Sequence, residues 1–379
     1  MKLVHTADWH IGRSLNEYSL LEDQRYWFSK FTERMKEIRP DSLVIAGDLY
    51  DRSVPSAEAV SLCDEILEEL VLRQKIKTFI IAGNHDSKER LSFASGLLKN
   101  SGLYMAGMVS KEIRRISLSG QETPVNFYLL PYFEPYNVKM LYPDAALRSQ
   151  EEALRLLCGN MLDSLRTDEI NILAAHGLYS CKKETGDWDV DIGGSELSDA
   201  SLFEAFDYVA LGHLHSRRRA GSGHMFYSGS PLKYSVDEAR QKKCFLVAEI
   251  EKGEISVSEE TISPLHDVRI AEDTFSGLLE RGREGKNEDY IFAELTDRVP
   301  VLNAMLRLKA VFPNIIGLRY KNLLASHTVS PGSGKNMVQK KTELELFCEF
   351  YHTVTDGELT CNEQRYIEDT LDTVRGEKK

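Results

Sequence analysis

The chain has 379 residues, too many for one ordinary domain, so two or three are expected. It is 42% hydrophobic and 28% charged, which excludes a disordered or fibrous protein and leaves enough apolar residues for a sizeable core. There is no run of roughly 18 apolar residues and no secretory h-region after Met1, so a cytoplasmic protein without membrane contact is expected. A net charge of −12 excludes a uniformly basic nucleic-acid coat, though not a small basic stripe.

In chain order, Lys2–Thr6 alternates as a strand and runs into Asp8-Trp9-His10. Trp27, Phe31, Met35 and Ile38 fall at helical spacing over Asp23–Ile38, which Pro40 ends. Ser42–Ala46 is a short apolar strand leading into Gly47-Asp48. Pro55 opens a helix expected to bury Val60, Cys63, Leu67 and Leu70. Phe79–Ala82 is a strand emptying into Gly83-Asn84-His85-Asp86. Glu151–Leu165 reads as a helix, Asn171–Ala175 as a strand into His176, and Tyr208–Leu211 as a strand into Gly212-His213-Leu214-His215. Met225–Ser228, Cys244–Ile250 and Glu254–Val257 read as antiparallel strands, with Lys252-Gly253 as a hairpin turn. Residues 1–264 thus form a layered α/β domain.

Beyond Pro264 the spacing changes. Tyr290–Leu295, Val301–Val311 and Ile315–Tyr320 read strand–helix–strand, a small α+β unit over 265–325. Residues 326–336 are rich in Ser, Gly and Pro and read as a linker. Residues 337–379 read as two helices, the second opened by a Thr360/Glu363 capping box, with narrow apolar stripes and more acidic than basic residues.

Five of these apolar strands end, within a few residues, in Asp, Asn or His, and side chains delivered from several strand ends meet at one edge of a sheet. Asp8/His10 and His213/His215 stand two apart, and on extended backbone each pair would share a face. Carboxylate, amide oxygen and imidazole together suit Mn²⁺, Fe²⁺ or Zn²⁺. Single histidines are ordinarily plain core or surface residues, and His5, His224, His266, His327 and His352 are read so. Six scattered cysteines without a C-x-x-C pair give neither a zinc knuckle nor a disulfide framework, and Cys63 and Cys244 read as buried thiols.

The ordered set D-x-H, G-D-x-x-D, G-N-H-D, a strand-end His and G-H-x-H is similar to the signature of the calcineurin-like metallophosphoesterases, whose fold is a β-sandwich flanked by helices. Gly47-Asp48-Leu49-Tyr50-Asp51-Arg52-Ser53 also resembles the GDxxDRG of protein phosphatases, but Ser53 replaces the last Gly and Asp86 replaces the Glu of their GNHE. Together with Ile192-Gly193-Gly194-Ser195, these strings resemble more closely the nuclease branch that works with an SbcC-type coiled-coil ATPase.

That resemblance implies two divalent metals, Mn²⁺ foremost. Asp8, His10, Asp48 and His215 would hold one; Asp48 would bridge to a second, held also by Asn84, His176 and His213. Hydroxide would attack the phosphodiester in line, and His85 would serve the leaving oxygen, with Asp86 as its orienting partner or as a structural residue. The implied activity is an exonuclease on double-stranded DNA ends and an endonuclease on hairpins and single strands, in DNA repair and recombination. The small α+β unit would cap the site. The C-terminal helices would bind the ATPase, in a heterotetramer containing two copies of this chain, with Leu91, Leu97 and Leu98 on a candidate dimer helix. Asp51 stands where some relatives carry a histidine near the DNA. A phosphatase or small-molecule phosphodiesterase on the same centre is the alternative, and intact ligand positions disfavour a non-catalytic scaffold. Arg217-Arg218-Arg219 is a candidate DNA-backbone contact, Lys182-Lys183 a weaker one. Gly332-Ser333-Gly334-Lys335 imitates a phosphate loop, but Val329 and Asn336 replace two of its required residues, which excludes ATP binding there.

Overall fold

The computed structural model describes residues 1–321 except 119–122, 164, 181–196, 222 and 286–287, and then residues 344, 347, 348, 351 and 359–375. The linker, the Gly332–Lys335 string, Ile192–Ser195 and Lys182-Lys183 lie outside the described residues.

Two six-stranded sheets lie face to face. The first runs in the order Glu254–Glu260, Phe245–Glu251, Lys2–Thr6, Ser42–Ala46, Lys77–Ile81, Leu103–Ala106, with the last four parallel. The second runs Arg218–Arg219, Met225–Tyr227, Tyr208–Gly212, Ile170–His176, Val125–Leu130, Arg114–Leu118, with its middle four parallel. Leu3, Val44, Phe79 and Ile81 pack between the sheets against Phe127, Leu129, Ile172 and Tyr208. The Phe79 and Phe127 rings stack there at 3.8 Å. Strands covered on both faces lose the alternation of a half-exposed strand, so Val125–Leu130 is buried at every position.

Helices cover the outer faces. Leu21–Ile38 buries Trp27, Phe28, Phe31 and Met35 on the first sheet. Ala57–Leu67 starts at Ser56, whose hydroxyl accepts from the Ala59 amide. It buries Ala59, Leu62, Cys63 and Ile66, and Leu70 is buried just beyond it; of the expected face Cys63 and Leu70 are buried and Leu67 partly so, whereas Val60 is exposed. Gln150–Asp163 covers the second sheet with Leu154, Leu157 and Cys158.

Two pairings differ from the sequence reading or extend it. Met225–Tyr227 lies parallel to Tyr208–Gly212, not antiparallel, because the intervening chain turns back through the short strand Arg218–Arg219 first. The hairpin at Lys252-Gly253 forms, with Gly253 at φ +85°, and its second strand extends to Glu260.

Residues 268–320 make a three-stranded parallel sheet, Val268–Asp273, Tyr290–Leu295 and Ile315–Tyr320, with helices Phe275–Glu284 and Ala304–Lys309. Phe275, Leu278, Ile291, Leu308 and Ile315 are its own core. Asp23, buried in the first helix, ties this unit to the sandwich by accepting from the Tyr290 hydroxyl at 2.9 Å and from His266 Nδ1 at 2.9 Å.

The residues from 326 on form a separate unit. Within it Cys361–Arg375 is a helix; Thr360 Oγ1 accepts from the Glu363 amide and the Glu363 carboxylate accepts from the Thr360 amide. Among the described residues no helix is long and apolar enough to cross a membrane.

Candidate metal centre

Five chain segments leave the C-terminal edges of the two sheets and meet. Asp8, His10, Asp48 and His213 all adopt positive φ, at +53°, +43°, +51° and +109°. For non-glycine residues this backbone is costly, and it persists where surrounding contacts over-determine it. The D-x-H segment is therefore a left-handed turn rather than extended backbone, which corrects the expectation from residue spacing. Its amides are held by the neighbouring loop, Asp8 N on Gly47 O at 3.0 Å and His10 N on Asp48 O at 2.9 Å. Glycines permit the close approach. Gly47 has φ +92°, and a Cβ there would stand 2.1 Å from His176 Nδ1; a Cβ on Gly83 would stand 2.0 Å from Asp48 Oδ1.

The expected side chains converge. His10 Nε2 lies 3.1 Å from His215 Nε2. Asp48 Oδ2 stands between two imidazoles, 3.6 Å from His10 Nε2 and 3.5 Å from His176 Nε2. Asn84 Oδ1 is 3.0 Å from His176 Nε2 and 3.1 Å from His213 Nδ1. Asp8 turns its carboxylate to the G-H-x-H loop and accepts the His213 amide at 2.9 Å. Donor atoms of Asp8, His10 and His215, and again of Asp8, Asp48 and His176, lie within 4.8 Å of one another.

Outer contacts fix the rings. His176 Nδ1 donates to Ala46 O at 2.8 Å, and His215 Nδ1 meets Glu238 Oε1 at 2.9 Å, so both rings turn Nε2 inward. Gln24, buried in the first helix, accepts from the Gly12 amide and donates to the carbonyls of Trp9 and His10.

Charge is unevenly distributed. Burial raises the Asp8 carboxyl to about 6. Burial acts on Asp48 in the same direction but is outweighed by His176, which holds it well below the usual carboxylate range. Burial opposes a charge on His176, yet the Asp48 carboxylate prevails and raises it to about 9. His10, through burial, is held far below its ordinary value, and His213 falls to about 4 for the same reason.

This donor set fits divalent cations. Among the described residues His10 Nδ1 and His213 Nε2 are buried without a hydrogen-bond partner, two imidazole nitrogens face each other across 3.1 Å, and two buried carboxylates share the space. Imidazole, carboxylate and amide oxygen are together the ligands of a hard-to-borderline metal.

His85 lies at the edge of this set. Its amide donates to Asp48 Oδ1 at 2.8 Å and its Nδ1 donates to the Asp51 carbonyl at 2.9 Å. Among the described residues the Asp86 carboxylate makes no hydrogen bond to the His85 ring. The Asp86 carboxylate accepts the amides of Leu49, Tyr50 and Gly83, locking the G-D loop to the G-N-H loop, and burial raises it to about 6. Asp86 is thus a structural clamp, the other of the two roles weighed for it.

Of the basic run, Arg217 pairs with Glu259 at 2.8 Å, and Arg217 and Arg219 both pack on the Phe226 ring. His5, read as an ordinary core histidine, is one: fully buried, with Nδ1 on the Tyr208 hydroxyl and Nε2 on Leu211 O. Glu238, Gln24 and Arg13 escaped the sequence reading. Their only signal is position, since none belongs to a motif.

A two-sheet sandwich with such a centre at its strand ends defines a metallophosphoesterase, a metal-dependent phosphodiesterase. Residues 1–217 match the calcineurin-like phosphoesterase family, and residues 264–355 match a family described as the type 5 capsule protein repressor C-terminal domain. The SbcD subunit of the nuclease SbcCD from Staphylococcus epidermidis is 34% identical over 95% of this chain and 95% of its own length. Its counterpart in Staphylococcus saprophyticus is 33% identical over 97% of both. A dimetal phosphatase from Danio rerio is similar at 13% identity and a TM-score of 0.41, over 70% of this chain and 98% of its own. The chain belongs to the SbcD family of calcineurin-like phosphoesterases.

Proposed function

We propose that the chain is the manganese-dependent nuclease subunit of an SbcCD-type complex, cutting phosphodiesters at double-stranded DNA ends and in hairpins or single strands. The observation that carries DNA over phosphoprotein is the likeness to proteins named as SbcCD nucleases along 95% of the chain, including residues beyond the sandwich. Those residues would supply the cap (265–325) and the helices (337–379) that dock on a coiled-coil ATPase. Described residues of the last helix fit such docking, with Ile367 and Leu371 partly buried and Tyr366 exposed.

In this reading Asp8, His10, Asp48 and His215 would hold one cation, and Asp48, Asn84, His176 and His213 would hold the other. Asp48 is suited to bridging because one of its oxygens is nearly equidistant from His10 and His176. Two bound cations would withdraw charge from the non-bridging phosphate oxygens and make water a stronger nucleophile. The chain's own groups do the rest. His176 and His215 keep Nε2 inward, Asp86 holds two loops in register, and His85 offers Nε2 to the departing deoxyribose oxygen. A water oxygen forms the new bond to phosphorus and gives up a proton to solvent, the bond to the deoxyribose oxygen breaks, and that oxygen takes the proton from His85 Nε2, which solvent then replaces. Such acid assistance is worth about 10²–10⁴ in rate.

The phosphatase reading rests on Arg52, in the position of the phosphate-gripping arginine, with an exposed side chain 3.6 Å from Asp51. One assay separates the two. With Mn²⁺, the purified chain should degrade a labelled DNA hairpin far faster than it releases phosphate from a phosphopeptide; the reverse preference would move it to the phosphatases.

A further inference from the structure

Arg13 belongs to none of the recognised motifs, yet it is built into the edge of the centre. Its backbone is fixed by a turn, Arg13 N donating to His10 O at 3.0 Å. Its Nη1 donates to Asp51 Oδ1 at 2.7 Å, and its guanidinium carbon stands 5.9 Å from the Tyr234 ring, which packs edge-on against His10. Asp51 is the residue whose carbonyl accepts His85 Nδ1, and its own amide donates to Ile11 O at 3.2 Å. One residue therefore receives Arg13 through its side chain and His85 through its main chain.

The Asp51 carboxylate is 10% exposed and lies 3.7 Å from His10 Nδ1. A carboxylate so placed is attracted by positive charge at the centre, and a shift of the loop toward that charge would carry the Asp51 carbonyl with it. The other cation nearby, Arg52, is 79% exposed and 3.6 Å away, too weakly held to prevent this. Arg13, with a short charge-assisted bond and a 29% exposed side chain, is placed to hold it back.

We propose that Arg13 is a positioning residue for His85: by anchoring Asp51 it fixes the carbonyl that orients the His85 ring and leaves Nε2 for the leaving oxygen. The proposal rests on the reading of His85 as the acid.

The test compares two leaving groups on the full chain with Mn²⁺. DNA releases a deoxyribose alkoxide that needs a proton; the p-nitrophenyl ester of thymidine monophosphate releases a phenolate that does not. His85→Ala should lose about 10²-fold or more in kcat on DNA and far less on the ester. Arg13→Ala should show the same asymmetry at smaller size, about tenfold on DNA with KM little changed, and Arg13→Lys should recover part of it. Arg13→Ala in the His85→Ala background should add almost nothing.

Equal losses on both substrates for Arg13→Ala and Arg13→Lys, a change confined to KM, or additive losses in the double variant would overturn the proposal. If His85→Ala itself loses equally on both substrates while Mn²⁺ content is unchanged, the acid role of His85 fails first and the proposal with it.

Discussion

The imidazole of His215 is held from behind by the carboxylate of Glu238, Nδ1 to Oε1 at 2.9 Å. Glu238 is buried, and its other oxygen receives Lys243 Nζ and lies 3.3 Å from the Tyr234 amide. Burial opposes its charge, but His215 and Lys243 outweigh this and bring its carboxyl down to about 2.

Such a partner fixes the ring and raises its basicity as a ligand, so Glu238→Gln should weaken Mn²⁺ binding by about 10- to 100-fold. Titration calorimetry of Mn²⁺ into the metal-free variant measures this. Wild-type affinity in the variant would remove Glu238 from the centre.

Metal uptake should release protons. In the metal-free protein burial disfavours a charged His176, but Asp48 raises it to about 9, so it carries a proton at neutral pH; Asp8, at about 6, is already mostly ionised. A ligating imidazole must be neutral, so Mn²⁺ binding near pH 7.5 should release about one proton and tighten as pH rises toward 9. Calorimetry in buffers of different ionisation heat reads the count. A value of zero would contradict the charge assigned to His176.

His5 should make the sandwich acid-sensitive. Burial between the sheets lowers it to about 3 from an ordinary 6.5. The folded protein keeps it neutral while the unfolded chain protonates it below about pH 6.5. Its contribution is therefore complete above pH 6.5 and is lost as pH falls from there toward 3. Between pH 6.5 and 4.5 this amounts to about 2–3 kcal/mol, so His5→Gln should lose correspondingly less stability over that interval in urea unfolding. Identical pH dependence in the two proteins would contradict it.

The sequence made the centre legible because metal ligands must leave strand ends, and Gly-Asp, Gly-Asn and Gly-His dipeptides mark where they do. Lys2–Thr6, Ser42–Ala46 and Tyr208–Gly212 stand close to where their apolar runs put them. It was less informative where tertiary contacts decide. Val125–Leu130 has no alternation because both faces are covered. Val268–Asp273, the first strand of the small unit, exposes Arg269 and, among the described residues, pairs only with Tyr290–Leu295 further along the chain. The left-handed turn at Asp8 and His10 follows from hydrogen bonds to the Gly47-Asp48 loop, which residue spacing alone does not contain. Glu238 lies 23 residues beyond His215 in a short 3₁₀ turn, so nothing local links them.

In the proposed centre Asp8, His10, Asp48, Asn84, His176, His213 and His215 would hold two cations, with His85 acting beside them and not as a ligand. Metal content after Mn²⁺ loading and gel filtration tests this most directly, measured on wild type and on His85→Asn together with DNA cleavage. Both proteins should hold two Mn²⁺ per chain, and the variant should lose cleavage. A single bound ion in wild type, or metal lost along with activity in His85→Asn, would contradict it.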